Sequence, residues 1–249
     1  VGNFFAMKKL LLVLVLIFCG LKTTIAHNLW IETGSEAQIG EAHEVRIYYG
    51  EYTYDYYETV SGNFADVADF TLWLVKPGGE KVELEAKPEG ETFYSASFTP
   101  KERGSYRVQL VSNKTTVVDW TEYGLGVLKP DFYATADVLV GEETDLKASL
   151  ENAPLQITPD KTGASAGDHL RLTITFKEKP LAEQEVMLSV ADQWTKTVQT
   201  DENGEVVFEL PWEGQYVIET VHTEEAPGSY QGDEYEAIRH TATYTFTAK

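Results

Sequence analysis

Five histidines are the residues best suited to chemistry in this chain: His27, His43, His169, His222 and His240. Imidazole is the commonest transition-metal ligand, so their placement decides what they can do. His222 ends the run Tyr216-Val-Ile-Glu-Thr-Val-His, and His240 opens His240-Thr-Ala-Thr-Tyr-Thr-Phe. Between them lie Pro227, two glycines and the acids Glu224, Glu225, Asp233, Glu234 and Glu236, a composition that reads as a loop. If the flanking strands pair antiparallel, His222 and His240 stand opposite each other with Cβ atoms roughly 5 Å apart. Side chains alternate along a strand, so His222 shares a face with Tyr216 and Ile218, and His240 with Ala242, Tyr244 and Phe246. Both imidazoles then turn inward at one end of a sandwich, close enough to share a metal. Two hydrogen-bonded, inert rim histidines satisfy the same pattern.

His27 takes its chemistry from what precedes it. Lys8 and Lys9 are followed by an apolar run, Leu10 to Leu21, too short to span a bilayer comfortably, and then by Thr23-Thr24-Ile25-Ala26. A positive region, an apolar region and a small-residue cut site make a secretory signal peptide, with Val1 to Ala6 reading as an over-long gene start. The expectation is cleavage after Ala26 and a periplasmic protein. A lipoprotein cut at Cys19 is disfavoured, because Phe18 stands where a small residue is wanted. Cleavage after Ala26 makes His27 the first residue. Its α-amine, with a pKa near 8, and one ring nitrogen then reach the same metal. One further imidazole gives a nitrogen-rich site suited to Cu(II) or Ni(II). His43 and His169 open equivalent strands and read as structural.

The elements that position these residues are strands. Phe70-Thr-Leu-Trp-Leu-Val, Ser105-Tyr-Arg-Val-Gln-Leu-Val and His169-Leu-Arg-Leu-Thr-Ile-Thr-Phe are rich in β-branched and aromatic residues, mostly in alternation. Turns such as Pro77-Gly78-Gly79 and Asp201-Glu-Asn-Gly204 separate them, and no helical stripe is sustained. The chain also repeats a rhythm: Gly40-Glu-Ala-His-Glu-Val resembles Gly167-Asp-His-Leu-Arg-Leu, and Gly104-Ser-Tyr106 resembles Gly214-Gln-Tyr216. The reading is all-β: two tandem β-sandwiches, immunoglobulin-like or transthyretin-like, over residues 27–152 and 153–249, joined near Glu151-Asn-Ala-Pro154, after upstream residues and a signal peptide in 1–26.

Composition narrows the partners. With 20 basic and 40 acidic residues the net charge is −20, and the three lysines of the first 26 residues leave the remainder more acidic still. Such a surface repels nucleic acid and anionic lipid. No segment beyond residue 26 is long and apolar enough for a membrane span, and none beyond it contains Cys, so disulfides and thiolate metal sites are excluded there. Nucleophile-elbow, phosphate-loop and His-Glu-x-x-His motifs are absent. The Tyr-rich run Tyr48-Tyr-Gly-Glu-Tyr-Thr-Tyr-Asp-Tyr-Tyr-Glu58 reads either as a binding mouth or as an edge strand with a sticky loop.

Ala26-His-Asn-Leu-Trp-Ile-Glu32 after a signal peptide, the turn Thr200-Asp-Glu-Asn-Gly204, the Gly214-Gln-Tyr216 strand running to His222, and the closing strand from His240 together resemble a bacterial family. It comprises domains of unknown function associated with the periplasmic component of nickel or cobalt uptake. The resemblance covers all of the chain from His27 onward. It implies a divalent transition metal (nickel, cobalt or copper) held by His27, His222 and His240, and an uptake transporter or outer-membrane receptor as the protein served. Two other classes stay open: a copper enzyme with an amino-terminal His brace, and a metal-free tandem-sandwich binding or adhesive module.

Overall fold

The computed structural model describes residues 27–144 and 153–249. The expected signal peptide, its cut after Ala26, the alternative at Cys19, and Glu151 and Asn152 of the expected joint lie outside the described residues. The described residues form strands and three short 3-10 turns, without an α-helix, as the period-two patterning predicts. No helix among them is long and apolar enough to cross a membrane.

The first half contains β1 (Asn28–Thr33), β2 (His43–Glu51), β3 (Tyr56–Tyr57), β4 (Thr71–Val75), β5 (Lys81–Leu84), β6 (Lys87–Glu89), β7 (Phe93–Phe98), β8 (Gly104–Ser112), β9 (Val118–Asp119) and β10 (Val127–Val140). The second contains β11 (Leu155–Pro159), β12 (His169–Phe176), β13 (Lys179–Pro180), β14 (Glu185–Val190), β15 (Trp194–Gln199), β16 (Glu205–Glu209), β17 (Gly214–Glu224), β18 (Gly228–Tyr230), β19 (Asp233–Tyr235) and β20 (Ala237–Ala248). A five-stranded sheet, β1-β2-β7-β6 with β3 beside β2, belongs to the first half. A four-stranded sheet, β11-β12-β13 with β16 beside β12, belongs to the second. Both halves share a nine-stranded sheet, β15-β14-β17-β20-β10-β8-β4-β5 with β9 beside β10.

The sharing follows from where the closing strands lie. β10 and β20 run parallel, in register from Leu128 opposite Ala237 to Ala136 opposite Thr245. The strand order outward from this pair is the same in both directions, so the halves are related by a two-fold axis along the strands. Such an axis exchanges the two faces of the sheet. Accordingly, Phe132, Ala134 and Ala136 of β10 enter the first core with Ile31, Ile47 and Val108. Their neighbour Tyr133 points the other way, into the second core with Leu172, Leu188, Ile218 and Tyr244. The five-stranded sheet covers one face of the shared sheet and the four-stranded sheet covers the opposite face.

The repeated Gly-x-Tyr motifs build the same corner twice. The Tyr106 hydroxyl donates to the Glu102 carbonyl at 2.9 Å, and the Tyr216 hydroxyl donates to the Trp212 carbonyl at 2.9 Å. Each tyrosine also accepts from the backbone N–H of the same upstream residue. Gly104 and Gly214 open their strands at φ of +133° and +132°, a region that favours glycine. Pairing β2 with β7 and β12 with β16 completes the correspondence.

Candidate functional site

His222 and His240 face each other across the β17–β20 ladder. Both strands extend further than the sequence suggests: β17 runs to Glu224, β20 starts at Ala237, and the expected loop contains the β18–β19 hairpin. As the alternation predicts, both lie on the side that faces the second core. His240 is fully buried, and Phe176 packs on both rings, at 4.3 Å from His222 and 5.2 Å from His240. His240 Nε2 donates to Glu224 at 3.3 Å, which leaves Nδ1 to accept from the Tyr133 hydroxyl at 3.0 Å. Burial holds both imidazoles below the usual histidine pKa, against the opposing pull of Asp131 on His240 and of Glu224 on His222. Lys177 pairs with Glu224 and lowers its pKa. With both His240 nitrogens engaged, a metal here must displace one of these bonds.

His27 lies elsewhere. Its neighbour Asn28 donates through Nδ2 to Glu219, three residues from His222 and therefore on the opposite face of β17. Among the described residues no hydrogen bond or ring contact links His27 to His222 or His240. His27 meets residues of the Tyr-rich run instead, because β1 pairs antiparallel with β2 and brings the start of one strand to the end of the other. Nε2 donates to Glu58 Oε1 at 2.7 Å, while Tyr49 and Tyr56 flank the ring at 5.4 and 5.8 Å. Asn63 and Tyr56 also donate to Glu58 Oε1, at 2.8 and 3.3 Å. On the ring's other side Nδ1 stands 3.8 Å from Glu51 Oε1, a buried oxygen with no hydrogen-bond partner. Burial raises the Glu51 pKa, and His27 pulls it down. Gly50 makes this turn possible: at φ +149° it lies so close to Tyr56 that a Cβ would meet the Tyr56 carbonyl oxygen at 2.2 Å.

A polar cleft of about 790 Å³ opens beside His27. Its floor is the outer face of β15, β14, β17 and β20, including Glu185, Glu219 and Arg239. Its wall is Asn28 and residues 51–54 at the rim of the first half. The wall is fixed in place: Tyr52 donates to the Gln215 carbonyl at 3.0 Å, and Trp30, Tyr48 and Tyr52 pack on Val217. Burial raises Glu219 to about 7, against Arg239 and Asn28 and with help from Glu51.

The pairing of His222 with His240 is legible from local sequence, whereas Glu51, Glu58 and the cleft carboxylates are not. Glu51 and Glu58 sit inside the Tyr-rich run, and their signal was its acids. His43 Nε2 donates to Thr33 Oγ1 at 2.8 Å, whose own proton goes to the Glu44 carbonyl, and the ring packs on Phe98, a strand-opening role. His169 is exposed. No cluster of three or more His, Cys, Asp or Glu side chains with metal-site spacing occurs among the described residues.

No curated protein matches the chain. Among solved structures, a DUF4785 family protein from Legionella pneumophila is similar at 12% identity and a TM-score of 0.28, over 76% of this chain and 52% of that one. Salmonella alpha-2-macroglobulin reacted with methylamine is similar at 13% identity and a TM-score of 0.28, over 90% of this chain and 15% of that one. The chain thus spans about half of the first protein and a small part of the second. The model of the family described as Domain of unknown function (DUF4198) matches residues 25–224, and the chain belongs to that family.

Proposed function

We propose that this is an exported, periplasmic protein that binds a divalent transition metal, copper, nickel or cobalt, for uptake or delivery. An uptake transporter or outer-membrane receptor would be the protein it serves. The observation that carries the reading is the gap between His27 Nδ1 and Glu51 Oε1. The Glu58 contact puts the ring proton on Nε2, so two acceptors face each other at 3.8 Å, one of them buried without a donor. A cation resolves that conflict. Metal-bound imidazoles are commonly oriented this way, with a carboxylate on the second nitrogen.

The donor set fits such an ion. After removal of residues 1–26, the His27 α-amine and Nδ1 would join Glu51, and Glu58 would hold the ring. Two nitrogens and one carboxylate favour copper or nickel over calcium or magnesium. Side chains alone supply too few donors, which makes the amine essential. The competing reading is a His27 that only hydrogen-bonds Glu58 and holds no ion.

The reading in which His27, His222 and His240 meet on one ion requires His27 to leave Glu58 and pass to the other face of β17–β20. The geometry supports two separate clusters instead. Isothermal titration with Cu(II), Ni(II) and Co(II) tests this on the chain beginning at His27. Glu51→Gln is expected to weaken binding at least tenfold, about 1.4 kcal/mol, while His222→Ala with His240→Ala leaves it within about threefold. Unchanged binding in Glu51→Gln overturns the site. A large loss in the double histidine variant favours the three-histidine arrangement.

A further inference from the structure

We infer that the cleft between the two halves is a binding site for an organic cation carrying several N–H donors, a polyamine or a guanidinium compound. The inference stands apart from the metal reading and does not require it.

The first observation is charge. Glu51, Glu183, Glu185 and Glu219 line the cleft, and Arg239 is the one cation among its lining residues. The second is an orphaned acceptor. Asn28 is 6% exposed, and its Oδ1 has no hydrogen-bond partner. A flipped amide does not relieve this while Glu219 is ionised, because Nδ2 must then face the carboxylate. The walls therefore carry an excess of carboxylates over cations and a buried acceptor that no donor satisfies. The volume, about 790 Å³, suits a small molecule and far exceeds one ion.

The internal repeat supplies the third observation. The two-fold relation gives the first half an equivalent place, where β11 lies over the outer face of β8 and β10. There the space is about 10 Å³, room for about one water. A bidentate Arg107–Asp137 pair, at 2.6 and 2.7 Å, lies on that face beneath it. Counting from the Gly-x-Tyr corners, Arg107 corresponds to Val217 and Gln109 to Glu219. One copy of the architecture is thus closed by an internal ion pair, and the other is open and carries a carboxylate where its twin has an amide. Tyr54, 61% exposed at the rim, offers an aromatic face to an entering cation.

Spermidine is the probe. It is titrated calorimetrically into EDTA-treated protein at about 0.1 M salt, where diffuse attraction to an acidic surface is largely screened. Saturation at one site is expected, with tetramethylammonium, which has no N–H donor, failing to bind. Asn28→Ala should weaken spermidine at least tenfold. So should Glu183→Gln combined with Glu185→Gln; both of these side chains are exposed, so their loss spares the fold. One residue added ahead of His27 should leave spermidine binding intact while weakening metal binding at least tenfold, which separates the two readings. Absence of saturable binding, equal binding of tetramethylammonium, indifference to both variants, or displacement of spermidine by equimolar calcium would each overturn the inference.

Discussion

Glu219 offers a sharp test of the electrostatics of the cleft. Burial lifts its pKa from 4.5 to about 7, and the groups facing it, Arg239 and Asn28 on one side of the balance and Glu51 on the other, do not cancel that lift. A carboxyl whose pKa is raised on folding contributes stability that is complete below the unfolded value. That stability is lost as pH rises through the folded value. Each tenfold change in proton affinity is worth about 1.4 kcal/mol, so ionising Glu219 costs the folded state about 3 kcal/mol at most. The figure is an upper bound because part of the side chain meets solvent. Glu219→Gln keeps the shape and removes the charge. In urea unfolding at pH 5 it should match the wild type or fall slightly below it, through a weaker bond from Asn28. At pH 8 it should exceed the wild type by about 1–3 kcal/mol. A difference between the two proteins that stays constant from pH 5 to pH 8 refutes the placement of a strained carboxylate on this face.

The remaining predictions concern the frame. Tyr106→Phe and Tyr216→Phe should destabilise by similar amounts, about 1 kcal/mol each, because each removes the same corner bond; urea midpoints compare them. Arg107→Ala leaves Asp137 buried without its partner, and about 3–5 kcal/mol of stability should be lost in the same assay. Gly50→Ala should cost about 2 kcal/mol or more and also weaken metal binding, since Glu51 and Glu58 hang on that turn. Because β10 and β20 knit both cores into one sheet, calorimetry should show one cooperative transition with equal calorimetric and van't Hoff enthalpies; two resolved transitions contradict it.

Local pattern carries most of the strands, both Gly-x-Tyr corners and the opposition of His222 and His240, because each depends on neighbours in sequence. What local pattern does not carry is the parallel join of β10 to β20, which brings Asp131 beside His240 across more than a hundred residues. Nor does it carry the face exchange that follows, so the separation of His27 from His222 by the sheet is invisible to it. The Tyr-rich run contributes both to packing and to the site: Tyr48 and Tyr52 fill the junction with Trp30, while Tyr49, Glu51, Tyr56 and Glu58 surround His27. Composition alone does not distribute those roles. Of the acids between His222 and His240, Asp233 and Glu234 lie in a hairpin strand, Asp233–Tyr235, and Glu224 ends β17, which a loop-like composition conceals.

The central claim is that a free His27 amine, its Nδ1 and Glu51 hold a transition metal. The most direct measurement compares Cu(II) affinity, by competition with a chelator of known strength, for two forms of the chain: one beginning at His27 and one carrying a single extra Gly ahead of it. The extra residue converts the amine to an amide and leaves every side chain in place. Binding by the extended form should be at least tenfold weaker, about 1.4 kcal/mol. Equal affinity of the two forms contradicts the claim and leaves His27 as a hydrogen-bonded partner of Glu58.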